Sequence, residues 1–289
     1  MPEAPTRPVL RWHGGKWKLA PWIISHMPPH RTYVEPFGGA ASVLLQKERA
    51  YAEVYNDLDD EAVCLFQVLR SGRAPDLIEA LRQTPFARNE FRAAYEQTDD
   101  PVERARRLVV RSFMGFGSNA HSSKNKGKRT TGFRANANRN GTTPAHDWAN
   151  YPNALEVIID RLHGVTVECR PALEVMRQHD SAVTLHYVDP PYLHGTRSRG
   201  NPYDLDWRMY RFELSDEEHA ALLQDLQSLK GMVILSGYPS DLYDDLLTGW
   251  TRKERETYAD GARPRTECLW LNPQCVDALG HGPLWKGAA

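Results

Sequence analysis

Short apolar stretches of strand length recur in residues 32–70 and from residue 165 onwards, separated by polar turns and amphipathic stretches. The predicted strands lie in "TYVEP" (32–36), "AEVYN" (52–56), "VTVEC" (165–169), "SAVTLHYV" (181–188) and "MVILSG" (232–237). The stretch after the second strand carries apolar residues at Val63, Phe66 and Leu69, which is helical spacing. Strands that alternate with helices predict an α/β fold with a mostly parallel, Rossmann-like sheet.

Local signals indicate where individual elements begin and end. The glycine turn after the first strand precedes a predicted helix that runs to Glu48, and the helix after the third strand begins near Pro171, a favourable first-turn residue. Ser215 and Glu218 form a capping-box pattern at the start of another helix, and Gly231 lies past its end. The segments 240–250 and 263–272 predict a further helix and a final strand.

Residues 72–150 break this rhythm. Helical patterns near 76–82, 88–97 and 101–113 are followed by a long polar segment, residues 115–146. A loop of this length without secondary structure is uncommon in a compact domain unless it has a function. We therefore predict that residues 72–150 form an inserted, mostly helical recognition module, and that 1–71 and 151–289 form the main domain.

The overall charge is balanced, with 36 basic and 37 acidic residues, so it does not predict a nucleic-acid partner. Locally, no Asp or Glu occurs from Arg104 to His146, whereas ten basic residues do. They are interleaved with Asn, Ser, Thr and aromatic residues, a mixture that suits contacts with phosphates and bases. The alternative is a solvated helix face followed by a disordered loop. The predicted DNA-binding residues are Arg111, Lys124, Lys126, Lys128, Arg129, Arg134 and Arg139.

Other classes of protein find little support in the sequence. The four cysteines are scattered without C-x-x-C spacing, which favours buried reduced thiols over disulfides or a zinc site. The N-terminus lacks the pattern of a signal or transit peptide, and no apolar run approaches 18 residues. These features predict a soluble cytoplasmic protein without a membrane partner.

Three of the predicted strands end in or next to an acid: Glu35, Asp57 and Asp189. Rossmann-type sheets bind ligands at the carboxyl ends of their strands. The loop at 36–40 is rich in glycine but lacks G-x-G-x-x-G spacing, so a dinucleotide is not favoured. Asp57 follows Gly39 by 18 residues, where an acid commonly holds ribose hydroxyls. Each acid alone could be a turn or cap residue; together they predict a nucleoside-bearing cofactor.

The N-terminal segment contains Gly14-Gly15-Lys16. A phosphate-binding P-loop is excluded because Leu10 and Trp17 occupy the positions that need Gly and Ser or Thr. Trp12 could still form an aromatic wall of a cofactor site, and Lys16 could pair with a carboxylate.

The fourth strand ends in Asp189-Pro190-Pro191-Tyr192. An aromatic exocyclic amine is a poor nucleophile because its lone pair is delocalised into the ring. The Asp189 carboxylate and the Pro190 carbonyl could accept its two N–H groups and localise that lone pair. The prolines add no competing N–H, and Tyr192 offers a face on which a planar base can stack. Such a site needs neither a metal nor a covalent intermediate. The alternative is a strand-ending turn with a buried tyrosine.

This set of motifs resembles the Dam-type DNA adenine-N6 methyltransferases, most closely their phage and prophage branch. The matching pieces follow the family order: "RWHGGKWKLAPWI", "YVEPFGGAASVLL", "VYNDLDDE", "YVDPPYLHGTR", "HAALLQDLQSLKGMVILSGYPSDLY" and "RTECLWLN". The resemblance implies transfer of a methyl group from S-adenosylmethionine to the N6 amine of a flipped-out adenine in double-stranded DNA, without a metal. It also implies that residues 72–150 contain the target-recognition region.

The resemblance assigns roles residue by residue. Asp189, Pro190, Pro191 and Tyr192 match the catalytic tetrad, and Ser236, Gly237 and Tyr238 would wall the base pocket. The cofactor-binding positions are Trp12, Gly14, Gly15, Lys16, Glu35, Pro36, Phe37, Gly38, Gly39, Asp57 and Asp189.

The sequence departs from the family pattern in two places. The cofactor loop has Phe-Gly-Gly-Ala where relatives often have Phe-x-Gly-x-Gly, and an alanine is tolerable there if its φ is negative. The third strand is followed by Arg170-Pro171, where many relatives carry an acid.

Several alternatives stay open. The first is methylation of cytosine N4; related enzymes with that activity often have Ser-Pro-Pro-Tyr in place of the tetrad. The second is a protein-glutamine methyltransferase, which would more often have Asn at position 189. The others are an inactive DNA-binding relative and a structural protein. The recognition sequence is undefined, with GATC as the family-based guess, and protein partners and oligomeric state are unknown.

Overall fold

The computed structural model describes residues 4–117, 131–136, 141–193, 212–258 and 264–281. The helices are α1 Ala20–Ile24, α2 Asp60–Arg70, α3 Ala74–Gln83, α4 Arg88–Ala93, α5 Pro101–Met114, α6 Pro144–Asn150, α7 Leu155–Leu162, α8 Ala172–His179, α9 Asp216–Gln227, α10 Asp241–Leu246 and α11 Pro273–His281. The strands are β1 Thr32–Glu35, β2 Ala52–Asn56, β3 Val165–Glu168, β4 Thr184–Val188, β5 Met232–Gly237, β6 Thr251–Tyr258 and β7 Pro264–Leu271.

The strands form one seven-stranded sheet in the order β3-β2-β1-β4-β5-β7-β6. The first five are parallel, and β7 inserts antiparallel between β5 and β6. The predicted α/β, Rossmann-like fold is confirmed. The strand β6 was not predicted, because its sequence "TRKERETY" is mostly polar and exposed and lacks the apolar alternation that indicates a strand. Charged residues are typical of an edge strand.

The strand register brings the acidic strand ends together. Glu35 of β1 pairs with Tyr55 of β2, and β1 pairs with β4 on its other side up to Val34↔His186. Because the three strands are parallel, Glu35, Asp57 and Asp189 follow them at the same edge of the sheet. The carboxyl edge therefore carries the three acids that the sequence had singled out.

The helices predicted in residues 72–150 are present, but they do not pack separately from the rest of the described chain. Leu77, Phe91 and Leu108 belong to the same buried cluster as Tyr33 and Leu65 of the main domain. In addition, Ser112 Oγ donates to the Arg11 carbonyl at 3.0 Å, and Arg111 Nη2 donates to Glu61 Oε2 at 2.6 Å. The division of the chain into two domains stays a prediction.

The prediction of a helix after the glycine turn is wrong. Residues 42–46 form turns rather than a regular helix, and Ala41, at the start of this segment, has φ +52°. A residue in the left-handed region does not continue a right-handed helix.

The predicted capping box of α9 is confirmed by the reciprocal hydrogen bonds between Ser215 and Glu218. Gly231 lies past the end of α9, as predicted, but it does not cap the helix, because α9 ends at Gln227 and its C-cap residue is Ser228. Gly231 instead precedes β5, where its N–H donates to Asp180 Oδ1 at 2.9 Å and a Cβ would lie 2.8 Å from the Thr184 carbonyl oxygen.

Among the helices in the described ranges, none has the length and apolar character needed to cross a membrane.

Candidate active site

A cleft of about 950 Å³, including the space at its open mouth, lies at the carboxyl edge of β1, β2 and β4. Every residue that the sequence predicts to contact the cofactor lines this cleft, and so do Pro190 and Pro191. Residues that were not predicted also contribute. They include His13, Ser42, Leu58, Asp59, Ala172, Tyr187, Phe212 and Leu214. Segments distant in sequence thus meet in one concave site, the usual form of a small-molecule site.

Lys16 and Asp189 form an ion pair in this cleft. Lys16 Nζ lies 3.1 Å from Asp189 Oδ2 and also donates to the Gly14 carbonyl at 2.7 Å. Burial raises the pKa of the Asp189 carboxyl, and the Lys16 ammonium opposes that rise. The other carboxylate oxygen, Asp189 Oδ1, is buried and has no hydrogen-bond partner among the described residues. An unsatisfied buried acceptor is costly, which indicates a position where a ligand donor can bind.

Asp57 ties two loops of the cleft together. Its Oδ2 accepts the Gly39 N–H at 2.7 Å, and its Oδ1 accepts the Asp59 N–H at 2.8 Å. Burial raises the pKa of Asp57 to about 6, while these backbone hydrogen bonds work against the rise. A carboxylate has about four lone-pair sites, so Asp57 can hold the loops and still accept a hydroxyl.

The two glycines of the loop 36–40 make room for protein side chains. A Cβ on Gly38 would lie 2.2 Å from the Tyr55 ring, and a Cβ on Gly39 would lie 2.7 Å from Trp12 Nε1. Gly39 also has φ +47°, and its carbonyl accepts the Tyr55 hydroxyl at 2.8 Å. The two glycines therefore leave room for Tyr55 and Trp12, and both glycines also line the cleft.

Ala41 stands where the family pattern has its second glycine. The alanine was expected to be tolerated with a negative φ, but its φ is +52° and its side chain is fully buried. This part of the expectation is wrong. An alanine in the left-handed region is strained by about 1–2 kcal/mol, so the departure from the pattern lowers stability.

Glu35 is fully enclosed at the base of the cleft. Its Oε2 accepts the Tyr33 hydroxyl at 2.7 Å and the Leu44 N–H at 3.0 Å. Burial raises the pKa of Glu35 to about 8, with those hydrogen bonds opposing the rise. The residue therefore holds the turn after β1 in place, and it is largely protonated at neutral pH.

Asn56, which the sequence did not single out, joins three strand ends. Its side-chain N–H groups donate to the Pro36 carbonyl at 2.9 Å and the Arg170 carbonyl at 3.0 Å, and its oxygen accepts the Arg170 N–H at 2.9 Å. The backbone of Arg170 is thus hydrogen-bonded to Asn56 at the strand ends, whereas its side chain forms an ion pair with Glu174. The sequence could have indicated this role, because an amide side chain buried at the end of an apolar strand needs hydrogen-bond partners.

Tyr192 lies beside Lys16 and Tyr238. Lys16 Nζ is 4.6 Å from the centroid of the Tyr192 ring, and the Tyr238 ring packs edge-on at 4.6 Å. The Tyr192 hydroxyl donates to Glu267 Oε2 at 2.8 Å in a buried contact. Glu267 was missed because the final strand drew notice only for its apolar alternation, although an acid within such a strand is itself a signal.

The three residues predicted to wall the base pocket occupy different environments. Tyr238 contacts Tyr192, as described. The Ser236 hydroxyl is buried and lies 2.9 Å from the Tyr187 hydroxyl, and a Cβ on Gly237 would lie 3.1 Å from the Trp270 ring. Only for Tyr238 does the described structure bring a side chain to the catalytic tetrad; the role of all three stays a prediction.

Arg111 does not suit DNA binding. It is 3% exposed, its Nη2 lies 2.6 Å from Glu61 Oε2, and its Nη1 donates to the Ala94 carbonyl at 2.6 Å. We correct its predicted role to that of a buried ion pair between α5 and α2. Arg134 is half-buried and donates to the Phe113 carbonyl at 3.2 Å. The other five predicted contacts, Lys124, Lys126, Lys128, Arg129 and Arg139, lie outside the described residues.

The remaining basic residues of α5 are also paired with acids. Arg106 and Arg107 both bind Glu103 at 2.6 Å, and Arg104 binds Asp60 at 2.8 Å. The stretch without Asp or Glu, residues 104–146, begins directly after Glu103. The count of basic residues in that stretch therefore overstated the unpaired positive charge on α5. The predicted electrostatic surface therefore depends on the polar segment after α5.

The four cysteines are free thiols, as predicted; Cys64, Cys268 and Cys275 are buried, but Cys169 is exposed, contrary to expectation. Within the described ranges, His, Cys, Asp and Glu side chains form no group of three that could hold a metal ion.

Comparison with known proteins adds to this geometry. The family model for D12 class N6 adenine-specific DNA methyltransferases matches residues 12–258, which is more than half of the chain. A protein named DNA adenine methylase from Vibrio cholerae serotype O1 is 27% identical over 216 residues, 69% of this chain and 72% of the relative.

Two further relatives with the same name match shorter stretches. The Escherichia coli K12 protein is 26% identical over 117 residues, 38% of this chain. The Serratia marcescens protein is 31% identical over 108 residues, 34% of this chain. The matched stretches span 41% and 38% of the length of these two relatives.

Proposed function

Because the chain belongs to the family of D12 class N6 adenine-specific DNA methyltransferases, we propose that it methylates the N6 amine of adenine in double-stranded DNA, with S-adenosylmethionine as the methyl donor. The observation that carries this proposal is the state of Asp189. One of its carboxylate oxygens pairs with Lys16, and the other is buried with no hydrogen-bond partner among the described residues. That arrangement suits the recognition of an amine at the end of β4.

The cleft fits the proposed cofactor. Trp12 offers an aromatic surface, Asp57 offers spare acceptor capacity for ribose hydroxyls, and both line the same cavity as Lys16 and the loop 35–39. These residues would hold the nucleoside part of the molecule. When bound, S-adenosylmethionine would supply an electrophilic methyl group on its sulfonium, and transfer of that methyl to the amine would leave S-adenosylhomocysteine and release one proton from the amine nitrogen.

Asp189 and Pro190 would hold the target amine. Asp189 Oδ1 would accept one N–H and the Pro190 carbonyl the other, which localises the nitrogen lone pair for attack. Lys16 keeps the opposite oxygen, Oδ2, in place at 3.1 Å and favours the charged carboxylate. Because these acceptors are fixed before the reaction, they need little reorganisation during it.

The target base would leave the DNA stack to reach this site. Tyr192 would stack on the base, with the Tyr238 ring packed nearly perpendicular to the Tyr192 ring. The basic residues of the segment after α5 would contact phosphates, and affinity should then fall steeply with salt.

The second candidate is methylation of cytosine N4, which uses the same amine chemistry. The family description and Asp189 at the head of the tetrad both favour adenine. A non-catalytic DNA-binding protein finds less support, because the cleft retains the Lys16–Asp189 pair.

Transfer of tritium from labelled S-adenosylmethionine to duplex DNA tests the proposal. The wild-type protein should label DNA, and Asp189→Ala should lose at least about 100-fold in rate, the usual cost of removing a preorganised group of this type. DNA affinity, measured by fluorescence anisotropy, should stay within about threefold. Near wild-type transfer by Asp189→Ala would refute the assigned role.

A further inference from the structure

A buried carboxylate lies behind the catalytic tetrad. Glu267 is in β7, on the same strand face as Leu269 and Leu271, which are almost fully buried. Gly237 of β5 pairs with Cys268 of β7, so Glu267 lies one position further along, level with Tyr238. An acid at the end of an apolar stripe is expensive to bury and needs a specific partner.

Tyr192 is that partner. Its hydroxyl donates to Glu267 Oε2 at 2.8 Å, and Glu267 as a whole is 8% exposed. Burial raises the pKa of the Glu267 carboxyl, whereas the Lys16 ammonium and the Tyr192 hydrogen bond oppose the rise. Lys16 therefore interacts with two carboxylates, Asp189 directly and Glu267 across the Tyr192 ring.

These contacts restrain the Tyr192 ring at both ends. A tyrosine has two side-chain torsions, and a hydrogen bond at the phenol oxygen limits both of them. The Lys16 ammonium and the nearly perpendicular Tyr238 ring, whose centroid is 4.6 Å from the Tyr192 centroid, define the tilt of the Tyr192 ring. The ring follows Asp189 by three residues in a turn that contains two prolines, so its orientation is coupled to that of the amine acceptors.

We propose that Glu267 is a positioning residue, which holds the Tyr192 ring in the orientation that aligns a planar base with Asp189 and Pro190. The proposal rests on the proposed function and extends it to a residue on a distant strand. Glu267 acts through the Tyr192 hydroxyl and does not itself touch the reacting atoms.

The test compares four variants with the wild type: Glu267→Ala, Glu267→Gln, Tyr192→Phe and the double variant Glu267→Ala/Tyr192→Phe. Phenylalanine keeps the ring and removes the tether, whereas glutamine keeps an acceptor for the hydroxyl. The matched control is Glu256→Ala, which removes an exposed acid from the adjacent strand β6. Single-turnover methyl transfer is measured at saturating DNA and cofactor, and thermal midpoints confirm that each variant is folded.

Glu267→Ala and Tyr192→Phe should each lower the transfer rate by about 10- to 100-fold, the effect of misplacing a bound group by up to 1 Å. The double variant should be no more than about threefold worse than the worse single variant, because loss of the Tyr192 hydroxyl already includes loss of its hydrogen bond to Glu267. Glu267→Gln and Glu256→Ala should stay within about threefold of wild type, and the dissociation constant for S-adenosylmethionine should be unchanged throughout.

Three outcomes would overturn the proposal. They are a wild-type rate in folded Glu267→Ala, a loss in the double variant equal to the product of the single losses, and a Glu267→Gln variant as impaired as Glu267→Ala.

A readout independent of methyl transfer separates this proposal from the proposed function. In protein labelled with 3-fluorotyrosine, the ¹⁹F resonance of Tyr192 is assigned by its loss in Tyr192→Phe. It should shift and broaden in Glu267→Ala but not in Glu256→Ala. If the wild type fails to methylate DNA but Glu267→Ala shifts the Tyr192 resonance, the proposed function alone is refuted. If the wild type methylates DNA and Glu267→Ala leaves the Tyr192 resonance unshifted, the positioning role is refuted.

Discussion

Lys16 Nζ lies 3.1 Å from Asp189 Oδ2, and this contact joins the N-terminal Gly-Gly-Lys turn to the end of β4. Residues 173 positions apart in sequence thereby form a single acid–base pair in the cleft. Burial raises the pKa of Asp189 even in the presence of this pair, and the Lys16 ammonium limits that rise.

Removing the charge of Lys16 should change the pH dependence of the reaction. The pKa of Asp189 should rise further in Lys16→Met, so the fall in methyl-transfer rate on acidification should begin at a higher pH. The rate at pH 7.5 should drop at least about 100-fold. Lys16→Arg retains the positive charge and should keep the acid limb near its wild-type position. A pH–rate profile for the three proteins measures this, and an unmoved limb in Lys16→Met would contradict it.

Glu35 should make stability depend on pH. Its pKa is about 8 in the folded state, against the ordinary value of 4.5 that we take for the unfolded state. Between pH 4.5 and pH 8 the folded state therefore binds a proton that the unfolded state does not. Stability from this group is present below pH 4.5 and is lost as the pH rises towards 8, by at most about 1.4 kcal/mol per pH unit.

Glu35→Gln mimics the protonated form and should remove this contribution. Urea unfolding at pH 5.5 and pH 8 should show a smaller fall in the free energy of unfolding for the variant than for wild type. Equal falls in the two proteins would show that Glu35 titrates normally in the folded state.

Ala41→Gly should stabilise the protein. Relief of the left-handed strain is worth about 1–2 kcal/mol, and the extra freedom of glycine in the unfolded chain offsets about 0.4–1 kcal/mol of it. The expected net gain in the free energy of unfolding is therefore between about 0 and 1.6 kcal/mol.

Ala40→Gly is the matched control, because Ala40 is also buried but is not among the positive-φ residues. It should destabilise the protein by about 0.5–1 kcal/mol. Chemical denaturation of both variants gives the comparison, and a loss of stability in Ala41→Gly would mean that the strain is absent.

Arg111 and Lys126 should behave in opposite ways. Arg111→Met removes the ion pair with Glu61, whose side chain is 24% exposed, and should lower the free energy of unfolding by about 1–3 kcal/mol, with little effect on how DNA binding depends on salt. Lys126→Gln should leave stability nearly unchanged and reduce the salt slope of DNA binding by about 1. Thermal denaturation and anisotropy titrations at several salt concentrations separate the two effects, and an unchanged stability in Arg111→Met would contradict the assignment of Arg111 as structural.

The comparison of sequence and structure shows which features have a local signal. The cleft could be predicted because its acids follow apolar strands and its glycines form recognisable turns, so Asp57, Asp189 and Lys16 were found. Glu267 and Asn56 were missed because their importance comes from partners on distant strands, Tyr192 and Arg170.

Burial and backbone conformation were the least accessible features. Arg111 lies in a basic stretch, but its burial depends on how α5 packs on α2, and its acid partner Glu61 is 50 residues away. The positive φ of Ala41 likewise results from the packing of the loop that follows β1 and has no signature in the residue type.

The identity of the methylated base tests the central claim most directly. DNA from a methylation-free host that expresses the wild-type chain should be digested to nucleosides and analysed by mass spectrometry, beside DNA from cells with Asp189→Ala. The account predicts N6-methyldeoxyadenosine with the wild type and its loss with the variant. The appearance of N4-methyldeoxycytidine instead, or of no methylated nucleoside from a folded and expressed wild-type protein, would contradict it.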